Sequence, residues 1–268
     1  MIKNLLLMVS VVFFTALSIN AQNQPELPWN NHTCAVSLTY DDGLNVHLDI
    51  VAKALDSAGF KGTFYIPVTS KPLFKRMDEW AAISRNGHEL GNHTLFHPCL
   101  GKSKGRDWVS EENDLDKYSV KQIVNEISMA NVVLKAIDGK DKRSLAYTCG
   151  DMAAGDTVFV GLIRDDFISA RGVSSRMNPY CGTDLFDVGA YMAMNQTGDE
   201  LINLVKQAQK ENAYLVFLFH GVGGEHSINV SAEAHSQLVH YLKANEKDIW
   251  VAPFIEVTEF IKDQQVRK

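Results

Sequence analysis

The stretch VSLTYDDGLN, residues 36–45, indicates the fold and raises the first chemical question about this chain. Its first half is apolar and β-branched, as in a buried strand, and it ends abruptly at Asp41, Asp42 and Gly43. Adjacent carboxylates repel each other, which costs stability unless a cation or hydrogen bonds compensate. Taken alone, the stretch favours a turn, because Asp and Gly end strands and Asp can cap a following helix.

The composition is that of an ordinary globular protein. The chain has 268 residues, of which 46% are hydrophobic and 22% are charged, so it can form one large domain or two small ones. The net charge is −6 and the basic residues form no cluster. These features argue against nucleic acid or an anionic membrane surface as a partner.

The N-terminal segment 1–21 differs from the rest of the chain. Lys3 is its only charge, and an apolar run covers residues 5–17. This pattern predicts a cleavable secretory signal, a single domain over residues 22–268, and a periplasmic or extracellular location. The apolar run is too short for a membrane span, so we expect no membrane anchor after cleavage; a retained N-terminal anchor is the alternative.

Short strand-like apolar runs alternate with helical patterns about seven times along the chain. The predicted strands cover residues 35–40, 61–68, 88–92, 145–148, 167–170, 213–219 and 249–254, and the predicted helices cover 46–58, 77–85, 119–137, 199–211, 231–245 and 257–262. This alternation predicts an α/β protein with a parallel sheet, either open or closed into a barrel. In both arrangements the chemistry collects at the C-terminal ends of the strands.

Reactive or ligating side chains recur at these predicted strand ends. They are Asp41, Asp42, His93, Cys149, Arg171 and His220. Their convergence favours a functional site over a simple turn at the two carboxylates.

The stretch GNHTLFHP, residues 91–98, predicts a metal site. His93 and His97 are four residues apart, so a single helical turn would place both imidazoles on the same side, and Pro98 would end or redirect that turn. Two histidines and one carboxylate from elsewhere form a three-ligand site that leaves a position open for water. Asp42, at a neighbouring strand end, is the expected third ligand.

The remaining histidines differ in what their positions suggest. His220 ends the apolar run AYLVFLF and precedes a glycine-rich loop, so it is a candidate proton donor; a strand-end histidine bonded to a backbone carbonyl is the alternative. The others are interpreted without a role in chemistry: His88 as structural, His47, His235 and His240 as helix-surface residues, and His32 and His226 as loop residues.

Three motifs in order, LTYDDG, HTLFHP and FLFHG, resemble those of the polysaccharide deacetylases, the NodB-homology or carbohydrate esterase family 4 group. The resemblance covers roughly residues 34–261. It implies a distorted (β/α) barrel of seven or eight units. It implies a divalent metal, first of all Zn²⁺ with Co²⁺ or Ni²⁺ as alternatives, bound by Asp42, His93 and His97. It also implies Asp41 as catalytic base and His220 as general acid.

This resemblance accounts for the two adjacent carboxylates. A metal on Asp42 would let both carboxylates stay ionised, and Asp41 would remain free to accept a proton from the attacking water. Zinc can bring the pKa of such a water to about 7. The acetyl carbonyl is then the target, and His220 protonates the departing amine or alcohol.

Two departures from the family pattern affect the interpretation. The third motif usually carries an Arg-x-Pro pattern, but SLAYTCGD places Ala146 and Thr148 at those positions. Arg171, at the end of the next strand, could supply the missing charge; an ordinary surface arginine is the alternative. The fourth motif usually carries an aspartate and a tryptophan, and SARGVSSRMNPYCG has neither. The partner of His220 and the wall that would stack on the sugar are therefore unassigned.

Export permits disulfides. The four cysteines, Cys34, Cys99, Cys149 and Cys181, allow three full pairings, and the sequence does not choose among them. Cys99 and Cys149 belong to the second and third motifs and should lie near the same rim. They form either a disulfide that ties two site loops together or two buried thiols.

The predicted function is metal-dependent hydrolysis of N- or O-acetyl groups on a poly- or oligosaccharide. Hydrolysis of a non-sugar C–N bond on the same barrel is the enzymatic alternative. A secreted carbohydrate-binding protein that keeps the metal site without turnover is the alternative from another class.

Overall fold

The computed structural model describes residues 28–266. The predicted secretory signal over residues 1–21 lies outside the described residues. Within residues 28–266, none of the helices combines the length and the apolar character needed to cross a bilayer.

Strands and helices alternate along most of the described chain. The strands are β1 (Cys34–Asp41), β2 (Thr63–Ile66), β3 (Glu89–Asn92), β4 (Ser144–Ala146), β5 (Ala153–Ala154), β6 (Thr157–Val158), β7 (Ser169–Arg171), β8 (Asn178–Pro179), β9 (Tyr191–Met192), β10 (Ala213–Phe219), β11 (Gly221–Val222), β12 (Asn229–Val230) and β13 (Ile249–Val251). The helices are α1 (Ala52–Ala58), α2 (Lys71–Lys75), α3 (Met77–Arg85), α4 (Val120–Asp138), α5 (Val160–Ile163), α6 (Gly198–Glu211), α7 (Ala232–Ala244) and α8 (Phe254–Val266). A π-helical turn, His47–Val51, leads directly into α1.

A nine-stranded sheet forms the centre of the fold. Its main path runs β7-β4-β3-β2-β1-β10-β8, and only the last pair is antiparallel. The first half of β1 pairs with β13 and its second half pairs with β2. The parallel α/β architecture predicted from the sequence is confirmed.

The two ends of this sheet approach each other through a short connecting segment. Arg171, at the end of β7, forms a parallel bridge with Val188, and a few residues later Tyr191 of β9 pairs with Phe217 of β10. Segment 188–192 therefore bonds to both ends of the sheet, which curls towards a closed ring. This curled sheet is the distorted barrel architecture that the sequence predicts.

The faces of β1 show why its C-terminal end is polar. Val36, Leu38 and Tyr40 point outward and join the core cluster beneath α1, α6 and α7. Because side chains alternate along a strand, Ser37 and Thr39 point to the other face, and both are buried. Asp41 continues this second, inner row. Burial on both faces is typical of parallel strands and explains why β1 and β10 are rich in apolar residues.

Helix boundaries follow their capping residues. The Ser231 hydroxyl accepts a hydrogen bond from the Ala234 backbone N–H at 3.0 Å, so the predicted N-cap of α7 is confirmed. Thr197 and Glu200 form a capping box at the start of α6. The C-terminal helix is longer than predicted, because it begins directly after Pro253, a residue that favours helix starts.

Two histidines interpreted as surface residues are buried, so that interpretation of His47 and His235 is wrong. The His235 ring packs beneath the sheet, where its Nε2 lies 2.7 Å from the Tyr40 hydroxyl. His47 is also completely buried, on the π-helical turn. Burial lowers the pKa of each imidazole to about 4. His88 is a buried structural residue, as predicted, and His240 is exposed.

These buried histidines predict a loss of stability on acidification. An unfolded histidine titrates near 6.5, so between about pH 6.5 and 4 the unfolded state binds more protons than the folded state. Each such histidine should lower the free energy of unfolding by up to about 1.4 kcal/mol per pH unit as the pH falls through this window. His235→Gln, which cannot take up a proton, should show a shallower pH dependence than the wild type.

The measurement is urea denaturation of metal-free protein at several pH values between 7.5 and 4.5. His240→Gln is the matched control, because His240 is exposed, and its pH dependence should match that of the wild type. Equal pH slopes for the wild type and His235→Gln would contradict this account.

Candidate active site

The predicted site residues converge at the C-terminal ends of the parallel strands. Most of them line a cleft with a volume of about 370 Å³. Five of them face it directly: Asp41, Asp42, His93, His97 and His220. The sixth, Arg171, is fully buried behind Asp41.

Asp41 ends β1 and is held by a buried ion pair. Its Oδ2 accepts a hydrogen bond from Arg171 Nη2 at 2.5 Å. Burial by itself raises the pKa of Asp41, but the charge of Arg171, with contributions from His93 and His220, brings this pKa below its ordinary value. Within residues 28–266, Asp41 Oδ1 has no hydrogen-bond partner. The carboxylate is therefore ionised, with one oxygen engaged and the other available.

Arg171 is fully buried, so the alternative of an ordinary surface arginine is wrong. It ends β7, where it pairs in register with Ala146 of β4, the position at which the family pattern expects arginine. Its guanidinium lies 5.1 Å from the centre of the Tyr65 ring, and Nη1 donates to the Gly172 carbonyl at 3.1 Å. A guanidinium on the strand beside the third motif therefore reaches Asp41.

A left-handed backbone brings the second carboxylate into the same cleft. Consecutive side chains of a strand point to opposite faces, so Asp42 would point away from Asp41 if β1 continued. Instead Asp42 has φ 76° and Gly43 has φ 59°. A Cβ on Gly43 would also lie 2.8 Å from Ile66 Cγ2, so glycine fits both the turn and the packing against β2.

Asp42 faces the two histidines of the second motif. Its Oδ1 lies 3.5 Å from His97 Nε2 and 3.8 Å from His93 Nε2. The ligand atoms of these three residues all lie within 4.8 Å of one another. A tetrahedral cation with ligand distances of about 2.0–2.2 Å needs ligand atoms separated by roughly 3.3–3.6 Å. The three side chains therefore fit a small divalent cation.

The hydrogen bonding of His93 supports this fit. Its Nδ1 donates to the Ala146 carbonyl at 2.8 Å, which leaves the Nε2 lone pair facing the two carboxylates. Burial lowers the pKa of His93 to about 4, so the ring is neutral at physiological pH. A neutral imidazole whose second nitrogen is fixed by a carbonyl is the usual form of a metal-ligating histidine.

The predicted helical turn from His93 to His97 is wrong. β3 ends at Asn92, and the following loop contains two left-handed residues, Thr94 and His97, with φ 65° and 56°. The Asn92 side chain accepts from the Thr94 backbone N–H at 2.8 Å, and the Thr94 hydroxyl accepts from the His97 N–H at 3.0 Å. These side-chain bonds replace helical ones, yet the two imidazoles still meet, with ring centres 4.8 Å apart.

His220 follows β10 on the opposite side of Asp42. Its Nε2 lies 3.9 Å from Asp42 Oδ2. Burial lowers the pKa of His220, although the charges of Asp41 and Asp42 oppose this shift. In the described chain its buried Nδ1 has no hydrogen-bond partner. The aspartate missing from the fourth motif is thus not replaced at this nitrogen.

His226 also belongs to the site, although its loop position gave no sign of this. Its ring stacks on His220 with centres 4.8 Å apart and an interplanar angle of 16°. Its Nδ1 accepts from the Ile228 N–H at 3.0 Å, so in the neutral ring Nε2 carries the proton. That Nε2 lies 3.6 Å from Asp42 Oδ2. Pairing of β11 with β12 folds this loop back over the cleft.

His47 fastens the two loops that carry these groups. Its Nδ1 accepts from the Leu44 N–H at 3.1 Å, and its Nε2 donates to the His220 carbonyl at 2.9 Å. The turn after β1 and the end of β10 are therefore joined through one buried neutral ring. This residue has a structural role that its helical position alone did not indicate.

Cys99 and Cys149 form a disulfide, with Cα atoms 5.8 Å apart. Of the two alternatives left open by the sequence, the bonded form is the one observed, and it ties the loop after the second motif to the third motif. Cys34 is buried in the core and Cys181 is exposed.

The comparison with known families agrees with this geometry. Residues 30–158 match the family model described as polysaccharide deacetylase. The match covers slightly under half of the chain and includes the first three motif regions. The resemblance to the polysaccharide deacetylases that the sequence motifs indicate is confirmed over this part of the chain.

Solved structures share the fold over most of the chain. A Pseudomonas aeruginosa protein classed among the polysaccharide deacetylases superposes with a TM-score of 0.64 at 10% identity, covering 91% of this chain and 96% of that one. A family 4 carbohydrate esterase from Bacillus subtilis gives a TM-score of 0.53 at 18% identity, covering 84% and 80%. Identities this low establish a common fold and no more.

One curated relative is similar in sequence over part of its length. A gellan lyase from a Bacillus species is 28% identical over 154 residues, which is 56% of this chain and 5% of the relative. The chain therefore spans only a small fraction of that protein.

The buried Arg171–Asp41 pair predicts a large and specific stability effect. Arg171→Met removes the charge and leaves the buried carboxylate unpaired, which should cost about 3–5 kcal/mol in the free energy of unfolding. Adding Asp41→Asn should recover a large part of this loss, because the uncompensated charge is then gone. Urea denaturation at neutral pH measures both effects.

Arg176→Met is the matched control. Arg176 pairs with Asp187 at 2.9 Å, but both side chains are about 40% exposed, so solvent screening should limit the loss to at most about 1 kcal/mol. Similar losses for Arg171→Met and Arg176→Met would contradict the importance of the buried pair.

Proposed function

We propose that this protein is an exported, metal-dependent carbohydrate deacetylase that hydrolyses N- or O-acetyl groups of a poly- or oligosaccharide. The family match and the fold support carbohydrate deacetylation. One observation carries the mechanistic part of the proposal: an ionised Asp41 lies beside the Asp42, His93 and His97 group, and His220 lies across the same cleft.

The donor set suits a divalent cation. One carboxylate oxygen and two imidazole nitrogens are ligands that zinc accepts, with Co²⁺ and Ni²⁺ as alternatives. When bound there, such an ion would polarise the acetyl carbonyl and make water acidic enough to attack at neutral pH.

Asp41 is the proposed proton acceptor. Its Oδ2 is engaged by Arg171, whereas its buried Oδ1 has no partner within residues 28–266. As the oxygen of water attacks the acetyl carbon, one proton of that water passes to the free Oδ1. Arg171 lowers the pKa of Asp41, so the ion pair keeps the base ionised at the expense of some basicity.

His220 is the proposed proton donor to the leaving group. When the bond from the acetyl carbon to the sugar nitrogen or oxygen breaks, the departing atom takes a proton from His220 in its imidazolium form, which the charges of Asp41 and Asp42 favour. The ring is protonated again, and Asp41 releases the proton that it accepted, before the next turnover. The products are acetate and a free amine or hydroxyl. The hydrogen bond from His47 to the His220 carbonyl fixes the backbone at this position. The His220 ring also stacks on His226.

Two further features bear on location and substrate. The Cys99–Cys149 disulfide is typical of proteins in oxidising compartments, which supports the proposed secretory signal over residues 1–21 and a periplasmic or extracellular location. The relative that carries the name gellan lyase is in keeping with a polymeric glycan as substrate.

A non-catalytic carbohydrate-binding protein is the second candidate, and one observation favours it. The buried Nδ1 of His220 lacks the partner that would orient a general acid. Acetate release from a panel of acetylated glycans separates the two functions: a catalyst releases acetate in a metal-dependent way, whereas a binding protein retains the glycan intact.

The division of labour between the adjacent carboxylates gives the sharpest test of the mechanism. Asp41→Asn keeps the shape of the side chain and an amide oxygen that can still accept the hydrogen bond from Arg171, but it removes the proton acceptor, so kcat of the folded variant should fall by about 10²–10⁴ while metal content stays at the wild-type level. Asp42→Asn should instead weaken metal binding, and excess metal should partly restore its activity.

The two variants are compared by acetate release and by metal analysis of the purified proteins. Because the residues are adjacent and chemically identical, each variant is the control for the other. The assignment fails if Asp41→Asn retains nearly full activity, or if it loses metal as severely as Asp42→Asn.

A further inference from the structure

One wall of the cleft comes from the loop that follows the second motif. Lys104, Gly105, Arg106 and Trp108 of this loop line the cleft that also holds Asp41 and Asp42 at its floor. The lining also contains Met192, Val173, His226 and Ile228. The Trp108 side chain is strongly exposed, at 63%. Tryptophan is enriched at binding interfaces, because its ring offers a large apolar face while its N–H can still form a hydrogen bond.

The loop that carries Trp108 is braced at its base. The Cys99 backbone bonds to the Asn113 carbonyl and the Leu115 N–H, at 3.0 Å and 2.9 Å, so the two ends of the loop are joined. The disulfide fixes Cys99 to Cys149. The loop thus presents the indole at the rim although the indole itself has little packing.

Arg106 adds a second brace within the loop. Its Nη2 donates to the Cys149 carbonyl at 2.9 Å, and its Nη1 forms an ion pair with Asp151. The charge of Arg106 is therefore already compensated by a neighbouring carboxylate. Arg106 therefore fixes the position of the loop and adds no uncompensated charge to the cleft.

Lys104 is the uncompensated charge of this wall. Within residues 28–266 its ammonium forms no ion pair or hydrogen bond, and Lys104 is exposed and lines the same cleft as Trp108. Apart from the floor residues Asp41 and Asp42, the cleft lining contains no carboxylate in the described chain. The wall therefore presents a flat aromatic face next to a positive charge.

We propose that Trp108 and Lys104 form a subsite for a sugar unit that carries a carboxylate, such as a uronic acid next to the acetylated unit. The pyranose ring stacks on the indole and its carboxylate pairs with the Lys104 ammonium. This inference rests on the proposed deacetylase function and names its substrate class. It also supplies a stacking wall in a chain whose fourth motif lacks the family tryptophan.

The first experiment measures deacetylation of three acetylated substrates: a uronic-acid oligosaccharide, a neutral oligosaccharide, and 4-nitrophenyl acetate, which reaches only the floor of the cleft. Trp108→Ala should raise KM about tenfold on both oligosaccharides and leave kcat/KM on 4-nitrophenyl acetate unchanged. Phe74→Ala is the matched control, since Phe74 is 62% exposed and lies outside the cleft lining; it should change none of these values.

The second experiment tests the charge. Lys104→Gln should raise KM about two- to fivefold on the uronic-acid oligosaccharide and leave KM on the neutral one unchanged, whereas Lys104→Arg should retain the wild-type KM. The difference between Lys104→Gln and the wild type should shrink in 1 M salt, because salt screens exposed charges. Equal effects of Lys104→Gln on acidic and neutral substrates would overturn the acidic-sugar assignment.

A binding measurement keeps this inference separate from the proposed function. Calorimetric titration with a non-acetylated uronic-acid oligosaccharide requires no turnover. Binding that is weaker in Trp108→Ala and in Lys104→Gln than in the wild type supports the subsite even if the wild type releases no acetate from any substrate, a result that would refute the proposed activity alone. Acetate release with wild-type KM and wild-type binding in both variants would overturn the subsite and leave the activity standing.

Discussion

The buried ion pair between Asp41 and Arg171 is the interaction on which the rest of the site depends. Two carboxylates follow each other at the end of β1 and face one cleft, so their charges must be compensated by different groups. Arg171 compensates Asp41 at 2.5 Å, and a guanidinium keeps its charge at every physiological pH. Asp42 is thereby left as the carboxylate that faces His93 and His97, which is the arrangement a cation needs.

The backbone around this pair is shaped to keep the two carboxylates together. Asp42 adopts a left-handed conformation, which is uncommon for a residue other than glycine and persists only when the surroundings fix it. His47 supplies such a fixation, because it bonds to Leu44 in the same turn and to the His220 carbonyl. The disulfide and the braced loop with Trp108 extend the cleft beyond Asp41 and Asp42, so the proposed sugar subsite and the proposed reacting groups lie on separate parts of the chain.

The sequence predicts those features of this fold that follow from burial. α3 and β10 begin and end at the predicted residues, because apolar periodicity and a fully apolar run each have a single buried arrangement.

The helical turn from His93 to His97 is predicted wrongly, because side-chain hydrogen bonds of Asn92 and Thr94 determine that loop. His226 could not be found at all: its place beside Asp42 depends on the pairing of β11 with β12, a contact for which spacing gives no local signal. Arg171 could be named as a candidate, but its register opposite Ala146 is a property of the assembled sheet.

The central claim is that Asp42, His93 and His97 hold the cation while Asp41 stays outside its ligand set. The most direct measurement is anomalous diffraction from crystals soaked in zinc, recorded on both sides of the zinc absorption edge. The account predicts one strong anomalous peak at about 2.0–2.2 Å from Asp42 Oδ1, His93 Nε2 and His97 Nε2, with the Asp41–Arg171 ion pair intact. A peak bound by Asp41 with that ion pair broken, or fully occupied zinc elsewhere and none at these three residues, would contradict it.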